Sequence, residues 1–261
     1  MQKGFIFDLD GTVYLGNEVI EGVPKAINKL KDQGHKILFL SNKPIATRKS
    51  YEEKLTKMGI EVTREEILNS NYILATYLQQ SMKEGELTWV LGEPPLFEEL
   101  ENAGIKVTSD PLKASHIVLS WDRDFTYQKL NSAFQAWRNG AKKVIATNPD
   151  GTCPIEGGGQ IPDCGAIIGA FEGATGTKVD LIAGKPSPIT VEIALSKLKL
   201  PAENCYMVGD RLETDIKMGL EHRMKSVLVL SGITSHEMLK KSKYKPHYTL
   251  TSVKEIHTIT T

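Results

Sequence analysis

Short apolar runs alternate with helix-like stretches along almost all of this 261-residue chain, and the alternation limits the folds open to it. The apolar runs have the length and composition of buried strands and lie at residues 4–7, 36–40, 88–91, 116–120, 143–147, 205–208 and 226–230. Helical patterns lie at about residues 24–33, 47–59, 71–82, 94–103, 126–139, 165–175, 188–198, 214–222 and 235–240. Strands separated by helices pair in parallel, because a parallel neighbour needs a crossover connection. The sequence therefore predicts an α/β fold with a mostly parallel sheet.

A loosely polar stretch at residues 83–86 is a candidate crossing point between two domains. A second, self-sufficient series of strands and helices follows this stretch. The strand and helix pattern of the first series resumes near Ala183. We predict a discontinuous core domain, residues 1–82 and 183–261, with an inserted α/β domain at residues 83–182. The glycine run at residues 157–159 predicts a loop within the insertion.

Composition argues against several classes of protein. Lysine and arginine together number 32, as do aspartate and glutamate, so bulk charge favours neither a nucleic-acid partner nor a membrane surface. No segment approaches the roughly 20 apolar residues of a membrane span. The N-terminus runs directly into the first predicted strand, so we expect no signal peptide. Cys153, Cys164 and Cys205 are an odd count at irregular spacing, which favours packing residues over a zinc site. We expect a reduced, cytoplasmic protein.

The first apolar run leads into a pentapeptide with two carboxylates, Asp8-Leu9-Asp10-Gly11-Thr12. Side chains repeat with period two in a strand, so both carboxylates would point the same way if the strand continued. Like charges this close require a cation, and open α/β sheets bind ligands at the carboxyl ends of their strands. Asp-x-Asp alone is more often an acidic turn, but the full string arises by chance in about one chain of this size in a thousand.

Polar residues also follow other predicted strands. Ser41 and Asn42 directly follow the second strand and could hydrogen-bond an oxyanion, although such residues are more often helix caps or turn formers. Lys185 lies just ahead of a helix N-terminus, where an ammonium is unfavourable unless an anion is present. A solvated surface lysine remains an equal alternative at this point.

A second acidic pair follows the strand at residues 205–208. Asp210 lies at the end of that strand, and Asp215 lies in the first turn of the next helix. Their carboxylate oxygens suit the octahedral site that Mg²⁺ prefers. Two other interpretations remain open: Asp215 could complement the helix dipole, and Arg211 could form an ion pair with Glu213 or Asp215.

These motifs, in this order and each just after a strand, resemble the haloacid dehalogenase superfamily and specifically its phosphatases. The resemblance covers the whole core and implies a Rossmann-like fold. It implies that Asp8 attacks phosphorus to form an aspartyl-phosphate and that Asp10 serves as general acid and then general base. A carboxylate at Asp10 favours phosphatases over dehalogenases, because a dehalogenase has no alkoxide to protonate.

The resemblance also implies a metal and a phosphate site. Mg²⁺ would be bound by Asp8, Asp10 through its backbone carbonyl, and Asp210, with Asp215 in direct or water-mediated support. The phosphoryl oxygens would be held by Ser41, Asn42 and Lys185.

The position of the insertion, between Ser41 and Lys185, resembles the 4-nitrophenylphosphatase-like group, or subfamily IIA, in which an α/β cap selects the substrate. That group includes nucleotide, phosphoglycolate and pyridoxal-phosphate phosphatases, and its relatives commonly form homodimers through the cap. Asn148 and Asp150 are substrate-side candidates, with an Asn-Pro-Asp-Gly turn as an equal alternative. This chain has Lys43 where many relatives carry a second Asn. It has Cys153 before Pro154 where some pyridoxal-phosphate-specific relatives have His, which argues against pyridoxal phosphate as the substrate.

We therefore expect a Mg²⁺-dependent phosphatase acting on small phosphorylated metabolites, such as sugar phosphates, nucleotides, phosphoglycolate-like compounds and, in vitro, 4-nitrophenyl phosphate. One alternative is a phosphomutase of the same superfamily, although the roughly 30 residues between Asp10 and Ser41 are too few for the usual mutase cap domain. The other is a non-catalytic protein that binds phosphorylated metabolites, but such a protein would be marked by loss of Asp8 or Asp10.

Overall fold

The computed structural model describes residues 2–155 and 158–259. The chain divides into two compact units. The first comprises Met1–Ser41, Arg48–Leu68 and Lys185–Thr261, and the second comprises Asn42–Thr47 and Asn69–Gly184.

The described strands are β1 (Gly4–Phe7), β2 (Tyr14–Leu15), β3 (Glu18–Val19), β4 (Lys36–Ser41), β5 (Ile67–Asn69), β6 (Thr88–Leu91), β7 (His116–Leu119), β8 (Lys143–Ala146), β9 (Thr152–Pro154), β10 (Gln160–Pro162), β11 (Leu181–Ile182), β12 (Cys205–Gly209), β13 (Lys225–Val229) and β14 (Tyr248–Leu250). The described α-helices are α1 (Val23–Asp32), α2 (Arg48–Lys57), α3 (Ser70–Ser81), α4 (Pro94–Asn102), α5 (Tyr127–Arg138), α6 (Cys164–Thr175), α7 (Pro188–Leu198), α8 (Lys217–Glu221) and α9 (His236–Lys241).

The first unit is built on a sheet with the order β14-β13-β12-β1-β4-β5. Strand β1 is fully buried and pairs in parallel with β12 on one side and β4 on the other. In register, Phe7 at the end of β1 lies opposite Val208 and Phe39. The carboxyl ends of these three central strands therefore lie together at one edge of the sheet.

The second unit has its own parallel sheet, with the order β11-β8-β7-β6. Its core joins β-strand residues such as Leu119 to helix residues such as Phe171 of α6. In both sheets the described strand pairings are parallel, so the predicted α/β fold is confirmed.

The boundary between the units differs from the predicted one. Residues 69–82 and Asn42–Thr47 group with the second unit, not with the core domain. Hydrogen bonds explain this grouping, because the start of α3 binds backbone carbonyls of the earlier segment. Asn71 Nδ2 donates to Pro44 O at 2.7 Å, and Ser70 Oγ donates to Asn42 O at 2.8 Å.

Several short elements were absent from the prediction, among them the hairpin of β2 and β3, the hairpin of β9 and β10, and β14 at the sheet edge. Within the loop predicted at residues 157–159, Gly158 takes the left-handed φ of 86°; Gly157 lies outside the described residues. Over the part of the chain that the structure describes, no helix is long and apolar enough to cross a membrane. Cys153, Cys164 and Cys205 form no disulfide and are buried, as packing residues would be.

Candidate active site

Three side chains of the first unit stand at the carboxyl ends of its central strands. Asp8 directly follows β1, Ser41 is the last residue of β4, and Asp210 directly follows β12. The backbone N–H of Asp8 donates to Val208 O at 2.8 Å, so the chain keeps its sheet pairing up to the first carboxylate. All three side chains are buried. The parallel register therefore brings residues about 30 and 200 positions apart to one edge.

Lys185 binds two of the predicted acidic residues. Its ammonium donates to Asp8 Oδ1 at 2.5 Å and to Asp215 Oδ1 at 2.7 Å. The lysine is 2% exposed, and Asp215 is fully buried. Lys185 is therefore a buried, ion-paired residue, and the interpretation as a solvated surface lysine is wrong.

Asp210 is held by the loop that follows β13. Its Oδ2 accepts a hydrogen bond from the Ile233 N–H at 2.7 Å, and the Thr234 hydroxyl donates to its backbone carbonyl at 2.5 Å. Gly232 lies against the carboxylate so closely that a Cβ there would overlap it. The second oxygen, Oδ1, is buried with no hydrogen-bond partner among the described residues.

Asp215 reaches the same place through an unusual helical turn. Residues Leu212–Ile216 form a π-helical turn directly before α8, a local widening that is frequent at functional sites. Asp215 Oδ2 accepts a hydrogen bond from the backbone N–H of Arg211 at 3.1 Å. A Cβ at Gly209 would overlap the Asp215 carboxylate, so a glycine is needed where the strand ends. The contact between Arg211 and Asp215 described here is this backbone hydrogen bond, and the ion pair of Asp215 is with Lys185.

The three carboxylates form a compact cluster. One oxygen from each of Asp8, Asp210 and Asp215 lies within 4.8 Å of the others, and all three residues are buried. Burial and the carboxylates of Asp8 and Asp215 raise the pKa of Asp210 to about 7. Burial and Asp8 also raise the pKa of Asp215, to about 6, against the opposing effect of Lys185. Burial lowers the pKa of Lys185, but Asp215 and Asp8 outweigh burial and raise it.

This electrostatic imbalance indicates a cation site. The Lys185 ammonium pairs with Asp8 and Asp215 but not with Asp210, so full ionisation of the three carboxylates leaves more negative charge than this ammonium offsets in a buried place. The unpartnered Asp210 Oδ1 offers a free ligand atom, and oxygen donors suit Mg²⁺. The donor set therefore fits a hard divalent cation.

Asp10 and Ser41 are each associated with a buried tyrosine that sequence reasoning missed. Asp10 is half-buried and pairs through its backbone with Tyr14, which is 1% exposed. Burial, Tyr51 and the nearby carboxylates hold the pKa of Tyr14 well above its usual range. Ser41 Oγ lies 3.2 Å from the Tyr51 hydroxyl.

The remaining predicted residues lie in the second unit and bind one another. Asn42 Nδ2 donates to Asp150 Oδ2 at 2.9 Å. Asn148 is fully buried, and its Nδ2 donates to Asp150 Oδ2 at 3.1 Å and to Asp163 Oδ1 at 3.0 Å. Its Oδ1 accepts from the Thr147 hydroxyl at 2.9 Å. The polar atoms of the Asn148 side chain are therefore bound within the second unit.

Comparisons with known proteins agree with this architecture. A family model described as haloacid dehalogenase-like hydrolase matches residues 5–106, and a model of HAD-hydrolase-like proteins matches residues 182–256. The Sugar-phosphatase AraL of Bacillus subtilis is 41% identical over 97% of this chain and 91% of its own length.

Solved structures show the same similarity. A p-nitrophenyl phosphatase from Archaeoglobus fulgidus superposes with a TM-score of 0.92 at 34% identity over 98% of each chain. A glycerol phosphate phosphatase of Mycobacterium tuberculosis in complex with magnesium superposes with a TM-score of 0.89 at 25% identity, over 98% of this chain and 76% of that one. The chain therefore belongs to the haloacid dehalogenase-like hydrolases, as a phosphatase of their 4-nitrophenylphosphatase-like subfamily IIA.

Proposed function

We propose that this phosphatase hydrolyses small phosphomonoesters, sugar phosphates foremost, with Mg²⁺ and through an aspartyl-phosphate on Asp8. One observation carries the proposal: Lys185 and the buried carboxylates of Asp8, Asp210 and Asp215 converge at the carboxyl ends of the central strands. The name of the sugar phosphatase that is 41% identical to this chain supports the substrate class. The buried, reduced cysteines support a cytoplasmic location.

In the first step, an oxygen of Asp8 forms a bond to phosphorus while the bond from phosphorus to the leaving oxygen breaks. The electron pair stays on the leaving oxygen, which takes a proton from the carboxyl group of Asp10. In the second step, Asp10 takes a proton from a water molecule as that water attacks phosphorus. The bond between phosphorus and Asp8 breaks, so inorganic phosphate leaves and the Asp8 carboxylate is restored.

Lys185 makes the first step electrostatically feasible. A carboxylate that approaches a phosphate dianion is repelled, and the ammonium 2.5 Å from Asp8 offsets that repulsion. In this proposal Lys185 also donates hydrogen bonds to the phosphoryl oxygens, as do the hydroxyl of Ser41 and the amide of Asn42. The carboxylates of Asp8, Asp210 and Asp215, with the backbone carbonyl of Asp10, would hold Mg²⁺. When bound, the ion supplies positive charge against the phosphoryl oxygens.

The second unit serves as the substrate-selecting cap in this proposal, and Asp150 remains the candidate there. Asn148, whose polar atoms are hydrogen-bonded to Thr147, Asp150 and Asp163, is the weaker candidate of the two.

Turnover of a substrate panel tests the proposal. Sugar phosphates, nucleotides, phosphoglycolate and 4-nitrophenyl phosphate are compared by kcat/KM, with Mg²⁺ and with a chelator. We expect Mg²⁺-dependent release of phosphate and no isomerised sugar phosphate, whereas a phosphomutase would yield the isomer. Sugar phosphates turned over no better than the other compounds would refute the substrate class.

Matched variants test the site. Asp8→Asn should abolish turnover while the protein stays folded. Asp122→Asn alters another buried aspartate paired with a lysine, Lys129 at 2.6 Å, and should retain turnover. Full activity in the Asp8 variant would exclude Asp8 as the nucleophile.

A further inference from the structure

The loop that follows β13 contacts two segments of the candidate site at once. Residues 233 and 234 of this loop hydrogen-bond Asp210. The Ser231 hydroxyl donates to Gly11 O at 2.8 Å, across 220 positions of the chain. One short loop therefore holds both the turn that follows β1 and the carboxylate that follows β12.

Gly11 is the point at which the turn after β1 approaches Asp210. Its backbone takes the left-handed φ of 86°, and a Cβ on it would overlap the Asp210 carboxylate. Glycine suits this position sterically, but its backbone is also the most permissive of any residue. The conformation of the turn therefore depends on the hydrogen bonds that hold Gly11.

Both polar groups of the Gly11 backbone are hydrogen-bonded. Its N–H donates to Tyr14 O at 2.8 Å, within the turn, and its carbonyl accepts from the Ser231 hydroxyl. The N–H of Gly11 and the carbonyl of Asp10 belong to one planar trans peptide, so they point in opposite directions. The contacts that fix Gly11 therefore also fix the direction of the Asp10 carbonyl.

We propose that Ser231 is a positioning residue for the Mg²⁺ site, acting through the backbone of Gly11. This inference rests on the proposed function, in which the Asp10 carbonyl and the Asp210 carboxylate bind the same ion. The Ser231 hydrogen bond ties the turn that carries Asp10 to the loop that holds Asp210, so it sets the spacing between these two ligands. Mg²⁺ requires near-ideal octahedral geometry, whereas Ca²⁺ accepts more flexible geometry at longer distances. Loss of the hydrogen bond should therefore affect Mg²⁺ more than Ca²⁺.

Calorimetric titration of Ser231→Ala with Mg²⁺ and with Ca²⁺ tests the inference. We expect the Mg²⁺ affinity to fall by about 10-fold or more and the Ca²⁺ affinity by less than about 3-fold, because the variant loosens the ligands without removing one. Ser231→Thr keeps a hydroxyl at this position and should keep the Mg²⁺ affinity within about 3-fold of the parent protein. Equal losses for the two ions, or equal losses of Mg²⁺ affinity in the two variants, would overturn the inference.

Ser81→Ala is the matched control for these measurements. It removes another serine hydroxyl that donates to a backbone carbonyl at 2.8 Å, that of Tyr77 within α3. We expect the affinities for both ions to equal those of the parent protein. A selective loss of Mg²⁺ affinity in this control would contradict the specific role of Ser231. Thermal unfolding of each metal-free variant confirms that the compared proteins are folded.

Titration of Asp210→Asn separates the inference from the proposed function. We expect this variant to lose Mg²⁺ binding, because it removes the charge of one proposed ligand. If its Mg²⁺ affinity equals that of the parent protein, the metal site of the proposed function fails, and the Ser231 inference fails with it. If Asp210→Asn loses Mg²⁺ binding while Ser231→Ala keeps the parent affinity, the inference alone is overturned.

Discussion

Replacing Lys185 by methionine should strongly destabilise the metal-free protein. The ammonium is 2% exposed and is the group that binds both Asp8 and Asp215. Methionine keeps much of the side-chain volume but removes the charge, which leaves buried carboxylates without their counter-ion. Removal of one partner from a buried ion pair costs about 3–5 kcal/mol, and we expect a loss of that size at pH 8.

The destabilisation should depend on pH, with a sign fixed by the carboxyl groups. The pKa values of Asp215 and Asp210 are raised to about 6 and about 7 with the lysine present, and its removal raises them further. These values exceed the ordinary aspartate pKa of about 3.9 in an unfolded chain. Between about pH 3.9 and the raised pKa values, the folded state therefore binds more protons than the unfolded state. Stability therefore falls as pH rises through this window. The loss in the Lys185 variant should be largest at pH 8 and smaller at pH 5.

Urea unfolding of the metal-free protein at the two pH values measures both effects. The matched control is Lys197→Met, which removes an ammonium 2.9 Å from the exposed carboxylate of Glu65. Such pairs contribute about 0–1 kcal/mol, so this control should remain close to the parent protein. A loss below about 1 kcal/mol in the Lys185 variant at pH 8, or a larger loss at pH 5, would refute the reasoning.

Three other predictions concern the metal cluster and the second unit. Gly232→Ala displaces the Asp210 carboxylate and should weaken Mg²⁺ binding by about 10- to 100-fold in calorimetric titration; unchanged affinity would contradict this role of the loop. Mg²⁺ should raise the unfolding temperature more at pH 8 than at pH 5.5, because Asp210 and Asp215, with pKa values of about 7 and 6, must lose protons to bind it; a larger rise at pH 5.5 would show the opposite linkage. Asn148→Ala should cost about 2–4 kcal/mol in urea unfolding, because it removes the buried hydrogen bonds of Asn148 with Thr147, Asp150 and Asp163; a loss below about 0.5 kcal/mol would exclude the structural role.

The sequence predicted those parts of the fold and cluster that follow local patterns. Asp8 and Asp210 each directly follow a buried apolar strand, and in a parallel sheet the carboxyl ends of central strands meet at one edge. The α/β class and the family follow from the same alternation and motifs, and both are confirmed. The close approach of Lys185 to Asp8 could be anticipated only through the family resemblance, since 177 positions separate them.

Contacts between distant segments could not be predicted. Asn42 hydrogen-bonds Asp150 across 108 positions, and no local spacing encodes that pairing. The loop after β13 holds Asp210 through the backbone N–H of Ile233 and through the space left by Gly232, which has no Cβ. No pattern of side chains in the sequence indicates either contact. Tyr14 resembles any apolar residue after a turn, and only its buried position beside Asp10 distinguishes it.

Trapping of a phosphoenzyme tests the central claim, attack on phosphorus by Asp8, most directly. The protein is mixed with 4-nitrophenyl phosphate and Mg²⁺, quenched in acid during turnover, and digested for mass spectrometry. We predict one added phosphoryl group on the peptide that contains Asp8, and its absence in Asp8→Asn. A phosphoryl group on another residue, or rapid turnover without any phosphoenzyme under conditions in which its hydrolysis limits the rate, would contradict the account.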